Sequence, residues 1–206
     1  RHTMLLRLRT HALPLILALV PLAGCSDTEL VGIHIALTKD GSGTLTARAL
    51  QASSAPGPAE ARLQGVQWQA RANLTSSQGA FRNLADVVLG AADDREVRFL
   101  LTDDEMPHLR VVLKRAPNLA WVQSLVPDEA TRKQLAAVHD PNNKTREIAT
   151  TIRLEVQLPE TVVASGVEPA GRGIEATHER NRAYLILPVR SLLQAGDDLI
   201  WAVSWK

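Results

Sequence analysis

Ile148-Ala149-Thr150-Thr151-Ile152-Arg153-Leu154-Glu155-Val156-Gln157-Leu158 decides the character of the chain. Ile148, Thr150, Ile152, Leu154, Val156 and Leu158 fall on one side of an extended backbone, while Arg153, Glu155 and Gln157 fall on the other. Alternation with period two predicts a strand with one buried and one wet face. The same pattern recurs twice. Thr28 to Leu37 puts Val31, Ile33, Ile35 and Leu37 on one face, and Gly65 to Thr75 alternates Val66, Trp68, Ala70, Ala72 and Leu74 with polar residues. The core of this chain is expected to be built on β-sheet.

Working outward, Lys39-Asp40-Gly41-Ser42-Gly43 turns the first strand back into a second, Thr44 to Leu50. Arg95 to Leu101 and His108 to Lys114 read as strands joined by the acidic turn Asp103-Asp104-Glu105. Gly173 to His178 and Ala183 to Leu187 form a hairpin across Glu179-Arg180-Asn181-Arg182, and Leu199 to Trp205 is the last strand. Ser53 to Glu60 and Gly166 to Gly173 are loops by composition. Helices are expected over Asn83 to Leu89, with Asn83 as the cap, and over Asn118 to Val138, broken at Pro127. A third runs from Pro188 to Ala195 and stops at Gly196. About nine strands and a few short helices, not strictly alternating, predict an α+β fold with a largely antiparallel sheet. No repeat, heptad run or long linker divides residues 25–206, so one domain is expected.

The N-terminal segment has a different logic. Arg1, Arg7 and Arg9 precede an apolar run from Ala12 to Pro21, and Leu22-Ala23-Gly24-Cys25 follows at once. This is the layout of a signal peptide ending in a lipobox, resembling the bacterial lipoproteins. The apolar run is about ten residues, roughly 15 Å as helix, against the roughly 30 Å a membrane span requires. Residues 1–24 are therefore expected to be cleaved, and Cys25 to carry the acyl chains that tether the domain. Ser26 after the cysteine implies export to the outer membrane in that class, although Asp27 follows it.

Removing the three leader arginines leaves 20 Lys+Arg against 22 Asp+Glu, a net charge of −2. A mildly acidic, mixed surface argues against nucleic acid as a partner, which calls for clustered positive charge. Cys25 is the only cysteine, so the tethered domain would hold no disulfide in an oxidising compartment. Its core must stabilise it.

No catalytic, metal or cofactor pattern emerges. Asp40-Gly41-Ser42-Gly43 supplies too few oxygens for a calcium loop and reads as a hairpin turn. Asp93-Asp94 and Asp103-Asp104-Glu105 read as solvated turn charges. His34, His108, His139 and His178 lack metal-ligand spacing. There is no Gly-x-Ser-x-Gly, and Gly171-Arg172-Gly173 lacks the third glycine of a nucleotide loop. Trp201 and Trp205 share a face of the last strand with Leu199 and Val203. That face is either core, the wall of an apolar pocket, or an edge turned to the membrane.

The strand–Asp-Gly-Ser-Gly–strand opening after Cys25, with Asn181 and then Leu199-Ile200-Trp201 near the end, resembles bacterial lipoproteins of the LppM-domain type. The resemblance implies an α+β domain with a curved sheet and a shape related to lipid-binding modules. It supplies no catalytic residues. Three roles are open. The first is a non-catalytic envelope protein, anchored at the periplasmic face of the outer membrane, that binds a lipid or another apolar ligand with Trp201 and Trp205. The second is a structural lipoprotein docking another envelope protein, and the third an envelope enzyme without a recognisable motif. With only about three residues between Cys25 and the first strand, a reach of roughly 10 Å, the domain is expected to ride close to the bilayer.

Overall fold

The computed structural model describes residues 30–50, 67–71, 74–89, 95–126, 128–130, 132–133 and 150–206, without the side chains of 49–50, 67–77 and 124–125. The leader, Cys25, Asp93-Asp94, Pro127 and His139 lie outside the described residues, as does the side chain of Trp68.

Eleven strands form among these residues: β1 (Val31–Leu37), β2 (Gly43–Leu50), β3 (Gln67–Arg71), β4 (Leu74–Phe81), β5 (Val97–Thr102), β6 (His108–Leu113), β7 (Thr151–Gln157), β8 (Val162–Glu168), β9 (Glu175–Glu179), β10 (Arg182–Pro188) and β11 (Leu199–Trp205). Helical structure is short: a 3₁₀ turn at Leu84–Asp86, α1 (Ala120–Leu125), helical residues at 129–130 and 132–133, where the Arg132 amide donates to Asp128 O at 2.9 Å, and α2 (Val189–Leu192). No helix among the described residues is long and apolar enough to cross a membrane. The fold is mostly β with a few short helices, compatible with the α+β class.

The expectation of a single sheet of about nine strands is corrected. There are two open sheets, one of seven strands in the order β3-β4-β2-β1-β7-β10-β9 and one of four in the order β5-β6-β11-β8. Every pairing is antiparallel except β1 with β7. The two strands that join in parallel are those with the strongest alternation. Val31, Ile33 and Ile35 lie beside Ile152, Leu154 and Val156 in register, all buried. From the other sheet, Val97 and Phe99, then Leu109, Val111 and Leu113, then Leu199, Trp201, Val203 and Trp205 join them in one hydrophobic cluster. Two sheets that each bury one face against the other explain why alternation runs through both halves of the chain.

Two local readings also change. Gly65 to Thr75 is not one strand. Arg71 pairs with Leu74, so β3 and β4 are the arms of a hairpin that reverses between them. Alternation continued across the reversal and concealed it, while Asn73, a turn-forming residue, carried the opposing signal. Gly166 to Gly173 is not wholly loop, because β8 runs to Glu168 along β11, with Gly166 opposite Ala202.

The β1–β7 pair also defines two poles. At one, where β1 begins, the Leu30 amide donates to Thr151 O and the Val189 amide to Thr150 O. At the other, β1 ends at Leu37, roughly 20 Å away along a strand of this length.

Candidate functional site

The β1–β2 turn at the far pole is a densely hydrogen-bonded polar cluster. The Thr38 amide donates to Ser42 O (2.9 Å) and the Gly41 amide to Thr38 O (3.1 Å). Thr38 Oγ1 (2.5 Å), Ser42 Oγ (2.7 Å) and the Ser42 amide (3.1 Å) all donate to Asp40 Oδ1. These donors, Thr38 first, hold the Asp40 carboxyl at about 2, below its ordinary 3.8. The turn is closed by Gly43, where a Cβ would stand 2.1 Å from Ala36 O and 2.7 Å from the Phe81 ring. Asp-Gly-Ser-Gly is thus a self-satisfied turn. Across from it, Lys39 Nζ reaches Glu160 Oε1 at 2.7 Å and ties the turn to the β7–β8 connection.

Between these loops and the end of β11 lies an open cleft of about 350 Å³. Leu37, Leu101, Pro107, Pro159 and Trp205 give it apolar lining. Lys39, Asp40, Asp103 and Glu160 supply its polar part. The volume falls at the lower end of the range of small-molecule sites, roughly 300–1,000 Å³. Trp205 is held there by the end of its strand, with its amide donating to Pro107 O at 3.2 Å and that of Lys206 to Thr161 O at 3.0 Å.

Trp201 and Trp205 do lie on one face, together with Leu199 and Val203, but the structure uses the two indoles differently. Trp201 is fully buried in the inter-sheet core, and its Nε1 donates to Ser165 Oγ at 3.0 Å. Trp205 is 4% exposed and lines the cleft. Glu160 and Leu101 belong to the cleft and were not singled out in the sequence. Their only signal was position, since each follows or ends a strand and reaches the pole through tertiary pairing.

A second cluster lies on the outer face of the seven-stranded sheet. Glu155 meets Arg182 Nη1 at 3.3 Å, Arg153 Nη2 at 3.6 Å and His34 Nε2 at 3.8 Å. Burial lowers the His34 pKa, with Glu155 opposing that shift and Arg182 and Arg48 adding to it. The Arg153 guanidinium also stacks 4.8 Å from the Tyr184 ring centroid. Neighbouring strands in register place these groups side by side, as cross-strand pairs do on many sheet faces. His108 and His178 stand apart at the starts and ends of other strands, and no group of three metal-ligating side chains gathers among the described residues.

Comparison with protein-family models, with curated proteins and with solved structures finds no match for this chain.

Proposed function

We propose that the chain is a non-catalytic envelope protein, tethered through acylated Cys25 at the periplasmic face of the outer membrane, which binds the apolar part of a lipid or another small apolar ligand. The observation that carries this reading is the cleft at the far pole, lined by Trp205, Leu37, Leu101 and two prolines together with Lys39, Asp40, Asp103 and Glu160. Five residue steps separate Cys25 from Leu30, a reach of at most about 18 Å, so the domain stands close to the bilayer, with this cleft at the end of β1 remote from Leu30. Trp201, buried in the inter-sheet core, does not line the cleft.

Native mass spectrometry of the protein purified from membranes tests the reading. Retained lipid or another apolar compound is expected, and Trp205→Ala should reduce its retention while Ala at Ile200, on the opposite face, should not. Consistently empty protein, or equal retention by a folded Trp205→Ala variant, overturns the cleft as the site. The anchor is tested separately: Cys25→Ala should abolish both processing and acyl labelling, and continued acylation would remove Cys25 from that role.

The docking role has its own support. The outer face of the four-stranded sheet carries Leu100 (47% exposed) and Ile200 (40% exposed) beside Ala202 and Gly166. An empty cleft in the experiment above would move the assignment there.

A further inference from the structure

A second cleft, of about 310 Å³, opens at the pole where β1 begins, and its chemistry is unlike that of the first. Three arginines line it: Arg115 after β6, Arg172 in the β8–β9 loop and Arg190 in α2. No carboxylate among the described residues lines it. Arg115 is half-buried and fixed, its Nε donating to Ser191 O at 2.9 Å. Its guanidinium lies against Gly196, where a Cβ would stand 2.9 Å from Nη1 and 3.1 Å from Cζ, so the missing side chain leaves the seat open. The Ala116 amide donates to Leu192 O at 3.0 Å and holds the segment after β6 against α2. Arg172 and Arg190 are exposed, and neither forms an ion pair with a described residue.

Three like charges around one small cavity repel each other, and they lack the carboxylate neighbour that Arg182 has in Glu155 and Arg98 has in Asp198. An arrangement of planar, multidentate cations without an internal counter-charge is complementary to a tetrahedral oxyanion, whose oxygens accept paired N–H donors. We infer that this cleft is a binding site for a phosphate-bearing anion. Placement indicates the source. Arg190 follows Val189, whose amide bonds Thr150 O, and the Leu30 amide bonds the adjacent Thr151 O. The cleft therefore lies at the end of the sheet that the tether from Cys25 enters. An anionic phospholipid headgroup is the phosphate within reach, and arginines near such a surface are attracted to it. This assignment of source rests on Cys25 as the anchor; the anion site itself does not.

Full-length protein purified in neutral detergent and titrated calorimetrically with inorganic phosphate and with glycerol phosphate tests the site. Saturable binding is expected, and Arg172→Gln/Arg190→Gln, two exposed positions, should weaken it roughly tenfold or more at unchanged melting temperature. Absence of binding, or equal binding by the double variant, overturns the site. The source is tested by hydrogen exchange over residues 169–174 and 189–196 in nanodiscs of phosphatidylcholine with or without phosphatidylglycerol, with the acyl mass on Cys25 measured on the same sample. Protection that requires phosphatidylglycerol and is lost in the double variant supports the headgroup. Phosphate binding without such protection in acylated protein overturns the headgroup and leaves a soluble phosphate ester as ligand. The same result in protein lacking the acyl mass overturns the anchor instead.

Discussion

Asp40 is fully exposed yet accepts three hydrogen bonds on one oxygen, and its titration reports whether the β1–β2 turn is formed. Because its folded pKa of about 2 lies below the ordinary 3.8, the group favours the folded turn above pH 3.8, and that contribution disappears as pH falls through about 2. Thr38→Val removes the largest of the three interactions and should raise the Asp40 midpoint towards 3.8, read by carboxyl-carbon chemical shift. An unchanged midpoint would mean that the hydroxyl is not the donor that matters. The residues of Asp-Gly-Ser-Gly were legible as a turn in the sequence because their reach is local, two to four positions. Glu160 and the three arginines at 115, 172 and 190 were not, because nothing in their spacing along the chain foretells that pairing will bring them to a common pole.

Elements were legible where alternation met an uninterrupted strand, as in Leu199–Trp205, whose buried and exposed positions follow the expected faces throughout. They were misread where a hairpin preserved the parity of alternation, as at Arg71 and Leu74, and where small residues on an exposed face read as loop, as at Gly166. Asn83 caps its 3₁₀ turn as its side chain suggested, accepting from the Ala85 amide at 3.0 Å. The start of α1 shows a capping device with no local signature. Its N-cap Leu119 offers no side-chain oxygen, and the buried carboxylate of Glu96, more than twenty positions earlier, accepts from the Ala120 and Trp121 amides at 3.0 Å each. Both bonds involve a carboxylate acceptor, and their loss removes the acceptor of one buried and one part-buried helix amide. Glu96→Ala should therefore destabilise the protein by about 2–3 kcal/mol, measured by urea unfolding. Glu96→Gln, which keeps only one strong acceptor oxygen, should lie between the two. Equal stability of all three proteins would show that water replaces the carboxylate without loss.

At the scale of the whole molecule, the two sheets hold together through one apolar cluster, to which β11 contributes four buried side chains. The alternation in the sequence was sufficient to say that strands bury one face, but not whether those faces meet within a single closed sheet or between two, since both give period two. Trp201 stands at the centre of this question: fully buried, from the four-stranded sheet, and in the same cluster as Ile33, Leu154 and Leu185 of the seven-stranded one. Trp201→Ala should cost about 3–5 kcal/mol through the lost burial and the cavity left behind. Ser165 loses its indole partner in the same change, so Ser165→Ala alone should account for only a small part of the loss, about 1 kcal/mol. The loss should fall on both sheets together. Far-ultraviolet dichroism follows all strands, whereas fluorescence follows the tryptophans, among them Trp121 in α1 and Trp205 in the four-stranded sheet. Coincident transitions in the variant are expected if the inter-sheet core is one cooperative unit. Transitions that separate, with the seven-stranded sheet persisting after the fluorescence change, would show that each sheet is stable without the other and that the shared cluster is not what unites the domain.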